Sequence, residues 1–216
     1  MRKAGLKDIS RLIFKNNIYN PISSVLNDKG NIKIPKTTAI FNMSSATNCP
    51  SLKLGLCKAV KQGAKCYALK PEMMYPAVLP YRNKQEKYWK DVTAEKFAYE
   101  FLLFNSSKQV PFNALRFNEA GDFHTQDCLN KAEKIARYLK KHGIKSYCYT
   151  SRSDLNFSNV RDLVVHGSGF TKKGIKGIFK IIQNEKEKIK GFSLCSMSCK
   201  SCTLCLKSSN VCIVKH

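Results

Sequence analysis

The chain has 216 residues, with 38 Lys or Arg against 15 Asp or Glu for a formal net charge of +23; 43% of residues are hydrophobic and ten are cysteine. This size and apolar fraction suit one globular domain with a sizeable core. No apolar run of about 18 residues is present, and the basic start "MRKAGLKDIS" has no apolar segment behind it, so neither a membrane span nor a signal peptide is expected and the cytoplasm is the expected location. Thiols stay reduced there, and clustered thiols then point to metal rather than to disulfides. A field this positive attracts polyanions, which makes nucleic acid a candidate partner; lysines scattered through a Lys-, Asn- and Ile-rich chain also read as solvated faces.

Ile9, Leu12 and Ile13 stand at helical spacing behind Asp8, predicting a short amphipathic helix over 7–16, followed by a polar linker to residue 33. "TTAIFNM" (37–43) is β-branched and apolar and reads as a buried strand running into a cysteine loop. Residues 72–105 have helical character broken near Pro76 and Pro80. "ALRFNEAGDF" (114–123) reads as a second strand with a Gly-Asp turn. The stretch 125–143 places Leu129, Ala132, Ile135, Ala136 and Leu139 on one helical face and stops at Gly143. Further strands are expected at 144–150, 161–167 and 174–182.

Strands alternating with helices predict an α/β fold with a mostly parallel sheet. Five countable strands fall short of a closed eight-stranded barrel. The expected architecture is therefore a partial (βα) barrel or an open, mostly parallel sheet with a cysteine-rich C-terminal tail. Its expected parts are an N-terminal helix and linker (1–33), an α/β core (34–190) and a metal-binding tail packed on the core (191–216).

The tail "CSMSCKSCTLC" holds Cys195, Cys199, Cys202 and Cys205 with spacings C-x3-C-x2-C-x2-C. Four thiolates suit tetrahedral zinc or a [4Fe-4S] cluster, and spacings of two and three favour the cluster. The first three also spell C-x3-C-x2-C, the spacing of radical S-adenosylmethionine enzymes, but in those the motif precedes the barrel, and here little chain follows Cys202. Cys49, Cys57 and Cys66 are more loosely spaced yet follow the first strand directly. Three thiolates there would leave one iron of a cluster open to a ligand; one or two of them also read as buried thiols. Cys128 and Cys148 read as core cysteines, and Cys212 as either a strand residue or a spare ligand.

Arg116, Glu119 and Asp122 lie at and beyond one strand end, with Gly121 allowing close backbone approach; Tyr149, Thr150 and Arg152 end another. These predict a polar rim over the sheet, although Asp122 also reads as a helix cap. "HGSG" (166–169) would bring a flexible loop to the same edge, and His166 reads as an ordinary strand-end histidine. No Ser-His-Asp order, P-loop or H-E-x-x-H motif supports hydrolase or nucleoside triphosphatase chemistry.

"IPKTTAIFNMSSATNCPS", "CYALKPEMMYPAVLPYRN", "RFNEAGDF", "YTSRSD" and the tail ending "CIVKH" together resemble the phage gene product 88-like family of bacteriophages and phage-like elements. The resemblance runs from Ile34 to His216. It implies cysteine-ligated iron-sulfur binding, with Cys49, Cys57, Cys66, Arg116, Gly121, Asp122, Cys202 and Cys205 as the matching positions, and a host-cytoplasmic location. More distantly, residues 116–154 resemble the strand, turn, helix and strand of the radical S-adenosylmethionine fold, although "GDF" lacks that turn's Glu.

The expected function is thus a phage-type iron-sulfur protein with one or two [4Fe-4S] clusters. In an enzymatic version, Arg116, Glu119, Asp122, Tyr149 and Arg152 position a small-molecule substrate for a radical-type reaction, with S-adenosylmethionine as a further cofactor, or for a redox reaction. The alternative is a basic nucleic-acid-binding module with a structural or redox-sensing cluster or structural zinc.

Overall fold

Seven strands form one sheet in the computed structural model, which describes residues 21–29, 33–57, 66–200 and 202–215. They are β1 (Thr38–Phe41), β2 (Ala114–Phe117), β3 (Lys145–Thr150), β4 (Leu163–Ser168), β5 (Gly177–Ile182), β6 (Ser193–Leu194) and β7 (Val211–Val214). Every pairing is parallel and the order is β1-β2-β3-β4-β5-β7-β6. Through β5 the spatial order follows the chain, as it would in a barrel, but β1 and β6 are opposite edges and no described pairing joins them. The sheet is open. The five expected strands are present; β6 is too short to show a period, and β7 is the apolar stretch around Cys212.

Among the described residues five helices accompany the sheet: α1 (Pro50–Lys53), α2 (Leu69–Met74), α3 (Val78–Asp91), α4 (Ala94–Ser106) and α5 (Gln126–Lys140). The break expected at Pro76 is there. Pro80 instead sits in the first turn of α3, where its missing N–H has no intrahelical acceptor to lose. The next break falls at Val92 and Thr93, where the Thr93 hydroxyl caps α4 by accepting from the Lys96 N–H at 3.2 Å. In α5 Thr125 caps the start, the five expected apolar positions are all buried, and Gly143 follows in the left-handed region at φ +76°.

Alternation along the strands separates two faces. Ala39 and Phe41, Leu115 and Phe117, Cys148, and Leu163 and Val165 turn toward the helices, meeting Trp89 of α3, Phe97 and Phe101 of α4 and Leu129 of α5 in the main core. Phe41 packs edge-on against Phe97 at 5.0 Å between ring centres, with Trp89 at 5.8 Å. Each such buried aromatic contributes roughly 1.5–3 kcal/mol through the surface it removes from water. Ile22, Val25 and Leu26 join this core, so part of the stretch expected as linker is structural; a 3-10 turn at Pro21–Ser24 carries it, and Asn27 bridges antiparallel to Ile40 on the β1 edge. The helix expected over 7–16 lies outside the described residues.

Candidate functional site

The opposite face of the sheet is not apolar. It carries Arg116 from β2, Tyr147 and Tyr149 from β3, His166 from β4 and Phe179 from β5, placed side by side by the parallel register. Tyr149 stacks on His166 at 5.3 Å between centroids, meets Phe179 edge-on at 4.9 Å, and lies under the Arg116 guanidinium at 5.5 Å.

The cysteine-rich tail covers this face. Its 3-10 turn, Leu204–Leu206, packs on β3 and β4. The Cys205 carbonyl faces the His166 ring at 3.0 Å, and because a carbonyl only accepts, the Nε2 must be the donor. Gly177 has no room for a side chain, since a Cβ there would collide with the Ser209 carbonyl of the tail. Further hydrogen bonds tie the tail, among them the Cys195 N–H to the Cys212 carbonyl at 2.8 Å and the Cys199 N–H to the Lys33 carbonyl at 2.9 Å.

Folded this way, Cys195, Cys199, Cys202 and Cys205 come near enough to feel one another's charge. Burial first, then the neighbouring thiolates, pushes the Cys205 thiol up, while the Tyr149 hydroxyl lying against its sulfur acts in the other direction. Cys199 is likewise pushed up by burial and then by Cys195, with Arg116 opposing. Tyr147 is pushed up to about 12, by burial first, with Arg116 opposing and the charges of Cys205 and Cys199 adding.

A second thiol pair lies at the C-terminal end of β1. Cys49 precedes α1, and its thiol is pushed up to about 12 by burial, then by the Asp122 carboxylate and, more weakly, by Cys66. Cys66 packs beside Ala46, Ala68 and Ala120. Of the N-terminal triplet, Cys66 is near enough for its charge to act weakly on Cys49, and Cys57 follows the C-terminal turn of α1, its N–H on the Ser51 carbonyl at 3.1 Å. Cys128, Cys148 and Cys212 are buried; Cys128 accepts from the Trp89 indole N–H at 3.0 Å, and Cys212 is a strand residue of β7. Among the described residues no three Cys, His, Asp or Glu side chains already converge in the geometry of a metal site.

The five expected rim residues divide between two environments. Arg116 and Tyr149 face the tail, and Glu119 lies near enough for its charge to act on Arg116. Asp122 and Arg152 belong instead to a buried latch. Asp122 accepts from Ser51 Oγ at 2.6 Å, Thr150 Oγ1 at 2.7 Å, the Ser151 N–H at 2.9 Å and the Phe123 N–H at 2.8 Å, which fastens α1 and the ends of β2 and β3 together. Burial dominates and holds its carboxyl above the usual aspartate range. Arg152 spends its guanidinium on a bidentate pair with Asp154 at 2.7 and 2.8 Å and on the Phe123 and His124 carbonyls. Gly121 serves the same junction: at φ +72° it lets Ser44 approach where a Cβ would collide. The loop expected from "HGSG" begins later than its first glycine, since Gly167 lies inside β4 under the Phe170 carbonyl.

Sequence patterns gave no warning of a clamp that positions the cysteine loop. Glu72 of α2 receives the Ala46 N–H at 2.6 Å, the Thr47 N–H at 3.0 Å and the Thr47 hydroxyl at 2.7 Å, and pairs with Arg82 of α3 at 2.7 Å; Arg82 also donates to the Ala68 carbonyl at 2.8 Å. The residues before Cys49 and after Cys66 are therefore held by one ion pair. Beside it an open cleft of about 540 Å³, lined by Asn48, Lys53, Glu86, Lys90 and His124, borders the loops after β1 and β2.

The fold and site define a parallel open-sheet α/β protein whose polar face is covered by a cysteine-rich tail. The chain belongs to the gene product 88 family, whose model matches residues 19–169. That match begins before Ile34 and stops after β4, so it includes Cys49, Cys57, Cys66 and all five rim residues but not Cys195 to Cys205. No curated protein and no solved structure matches the chain.

Proposed function

We propose that this protein is an iron-sulfur protein that holds a [4Fe-4S] cluster through Cys195, Cys199, Cys202 and Cys205, and that Cys49, Cys57 and Cys66 supply thiolates for a second site. The observation that carries this reading is the C-x3-C-x2-C-x2-C spacing of the four tail thiols, on a tail whose Leu204–Leu206 turn packs on β3 and β4. Four mutually repelling soft donors fit a cation that takes thiolates, and closing such a site on metal couples binding to ordering of the tail. A bound cluster would supply one-electron redox chemistry. Tyr149 lies against the Cys205 sulfur, and Arg116 adds positive charge nearby. The N-terminal thiols, with fewer protein ligands, are where an added ligand would reach an iron. The cleft beside them is the candidate substrate entry, its lining holding Lys53 and His124 together with the Lys90–Glu86 ion pair.

Anaerobic purification tests the proposal. A brown protein with a broad visible absorption band and equal iron and acid-labile sulfide is expected; a colourless protein carrying stoichiometric zinc overturns it. Adding S-adenosylmethionine to the same reduced sample decides the radical-type version, which requires 5′-deoxyadenosine to form.

The net charge of +23 favours a second reading, in which the cluster is structural and the surface holds nucleic acid. It predicts binding to a duplex or single strand that weakens by at least tenfold between 50 and 200 mM salt, since roughly 0.7–0.9 counterions are released per phosphate contact. Affinity independent of salt in a titration by fluorescence anisotropy counts against it.

A further inference from the structure

We infer that the outer face of α2 and the residues flanking it, Tyr67, Lys70, Met73, Met74 and Tyr75, form a platform for single-stranded nucleic acid. The inference deepens the nucleic-acid reading above and rests on it. Ala68, the N-cap of α2, and Glu72, one helical turn on, point into the protein, and Glu72 is locked there by Arg82 and by the Ala46 and Thr47 donors. The opposite side of the helix therefore faces outward. Met73 is 84% exposed, Tyr67 68%, Tyr75 57% and Met74 56%. The Tyr67 hydroxyl donates to the Glu119 carbonyl, which restrains its ring. Large apolar side chains grouped on a surface in this way mark a contact site.

The charges around the patch name the partner. From Pro50 to Pro71 the sequence holds five lysines and no Asp or Glu. Both glutamates of α2 and α3 are buried in ion pairs, Glu72 with Arg82 and Glu86 with Lys90. Lys70, Lys84 and Lys87 are exposed, and none of them pairs with a carboxylate among the described residues. The exposed acid of these helices, Asp91, ends α3, roughly 20 Å along the helix from its start beside the patch. Lysines beside exposed phenol rings and thioethers match a strand that offers phosphates and unpaired bases. The ammonium groups take the phosphates, and the rings and sulfurs take the base faces. A duplex keeps its base faces stacked inside and would use the lysines alone.

The test is fluorescence anisotropy, with the full-length protein titrated into a labelled strand of about 16 nucleotides and into the duplex of the same sequence. The double variant Tyr67→Ala, Tyr75→Ala is expected to weaken single-strand binding by at least about tenfold and to leave duplex binding within about twofold. Tyr75→Ala alone removes a side chain with no hydrogen bond among the described residues, and it is expected to weaken single-strand binding by at least about fivefold, whereas Tyr75→Phe stays near wild type. Lys70→Gln with Lys84→Gln is expected to weaken both forms and to lower the slope of log affinity against log salt by about one to two. Deoxyribose and ribose strands are run side by side, and the tighter one identifies the strand chemistry. Tyrosine variants that bind single strands as tightly as wild type, or lose both forms equally, overturn the platform while nucleic-acid binding stands. Wild type that binds neither form at low salt overturns the platform together with the nucleic-acid reading. A wild-type dimer in sedimentation that Tyr75→Ala dissociates, with nucleic-acid binding unchanged, assigns the patch to a second copy of the chain and likewise overturns the platform.

Discussion

Glu72→Ala is expected to cost about 3–5 kcal/mol of folding stability, the usual range when one partner of a buried ion pair is removed and the other charge stays behind. Arg82 would be that charge, with its side chain 8% exposed and its one remaining described acceptor the Ala68 carbonyl. The Ala46 and Thr47 N–H groups would lose their acceptors in the same step. Urea unfolding followed by circular dichroism reads the loss as a lower midpoint at unchanged slope. The pH dependence gives a second signature. Burial alone would raise the Glu72 carboxyl, but the Arg82 guanidinium and the donors of Ala46 and Thr47 outweigh it and hold the group below the usual value of 4.5. A carboxyl with a lowered folded value stabilises the protein above the unfolded value, and the contribution disappears as pH falls through the folded one. Wild type should therefore lose part of its stability below about pH 4.5, and Glu72→Ala should lose less over the same range. Equal acid sensitivity of the two proteins would show that Glu72 is not the group responsible.

The position of this clamp shows where reading the sequence reached its limit. β1 to β5 and α5 were legible because hydrophobic period and turn residues act locally: Leu129, Ala132, Ile135, Ala136 and Leu139 name their buried face without knowledge of any partner. Glu72 and Arg82 are ten residues apart on separate helices, and in sequence each reads as one more surface charge. The tail was legible as a cluster of thiols from spacing alone, but not the face it would cover. That face follows from Arg116, Tyr147, Tyr149 and His166 occupying alternate positions in three adjacent strands, so that an Arg, two phenols and an imidazole replace the apolar side chains expected inside a two-layered sheet. Asp122 and Arg152 were expected on an open rim because they follow strand ends. Hydrogen-bond donors at those ends captured Asp122 and acceptors captured Arg152, since an uncompensated charge there would be far costlier than one satisfied by Ser51, Thr150 or Asp154.

Replacing Cys199 and Cys205 together by serine is expected to abolish metal binding by the tail, whereas Cys128→Ala and Cys212→Ala should keep it and lose only stability. The contrast follows from location. Cys199 and Cys205 are half-buried on the polar face with other thiols as neighbours, while Cys128 sits on α5 against Trp89 and Cys212 lies inside β7, both buried in their own packing. Serine keeps the size but replaces a soft thiolate with a hydroxyl that stays protonated near neutral pH, so two of the four proposed ligands are lost with little change in volume. Metal analysis should fall from the wild-type content to whatever Cys49, Cys57 and Cys66 hold. That remainder counts the second site directly. The tail should also loosen, because structural metal sites contribute on the order of 10–16 kcal/mol of apparent binding free energy that couples to folding. Hydrogen exchange across 195–206 should accelerate in the double variant and in chelator-treated wild type alike, while β1 to β4 and their helices stay protected by the aromatic core around Phe41, Phe97 and Phe117. Retention of full metal content by the double variant would place the ligands elsewhere and leave the tail as a cover held by hydrogen bonds such as those of His166, Lys33, Lys176 and Asn210.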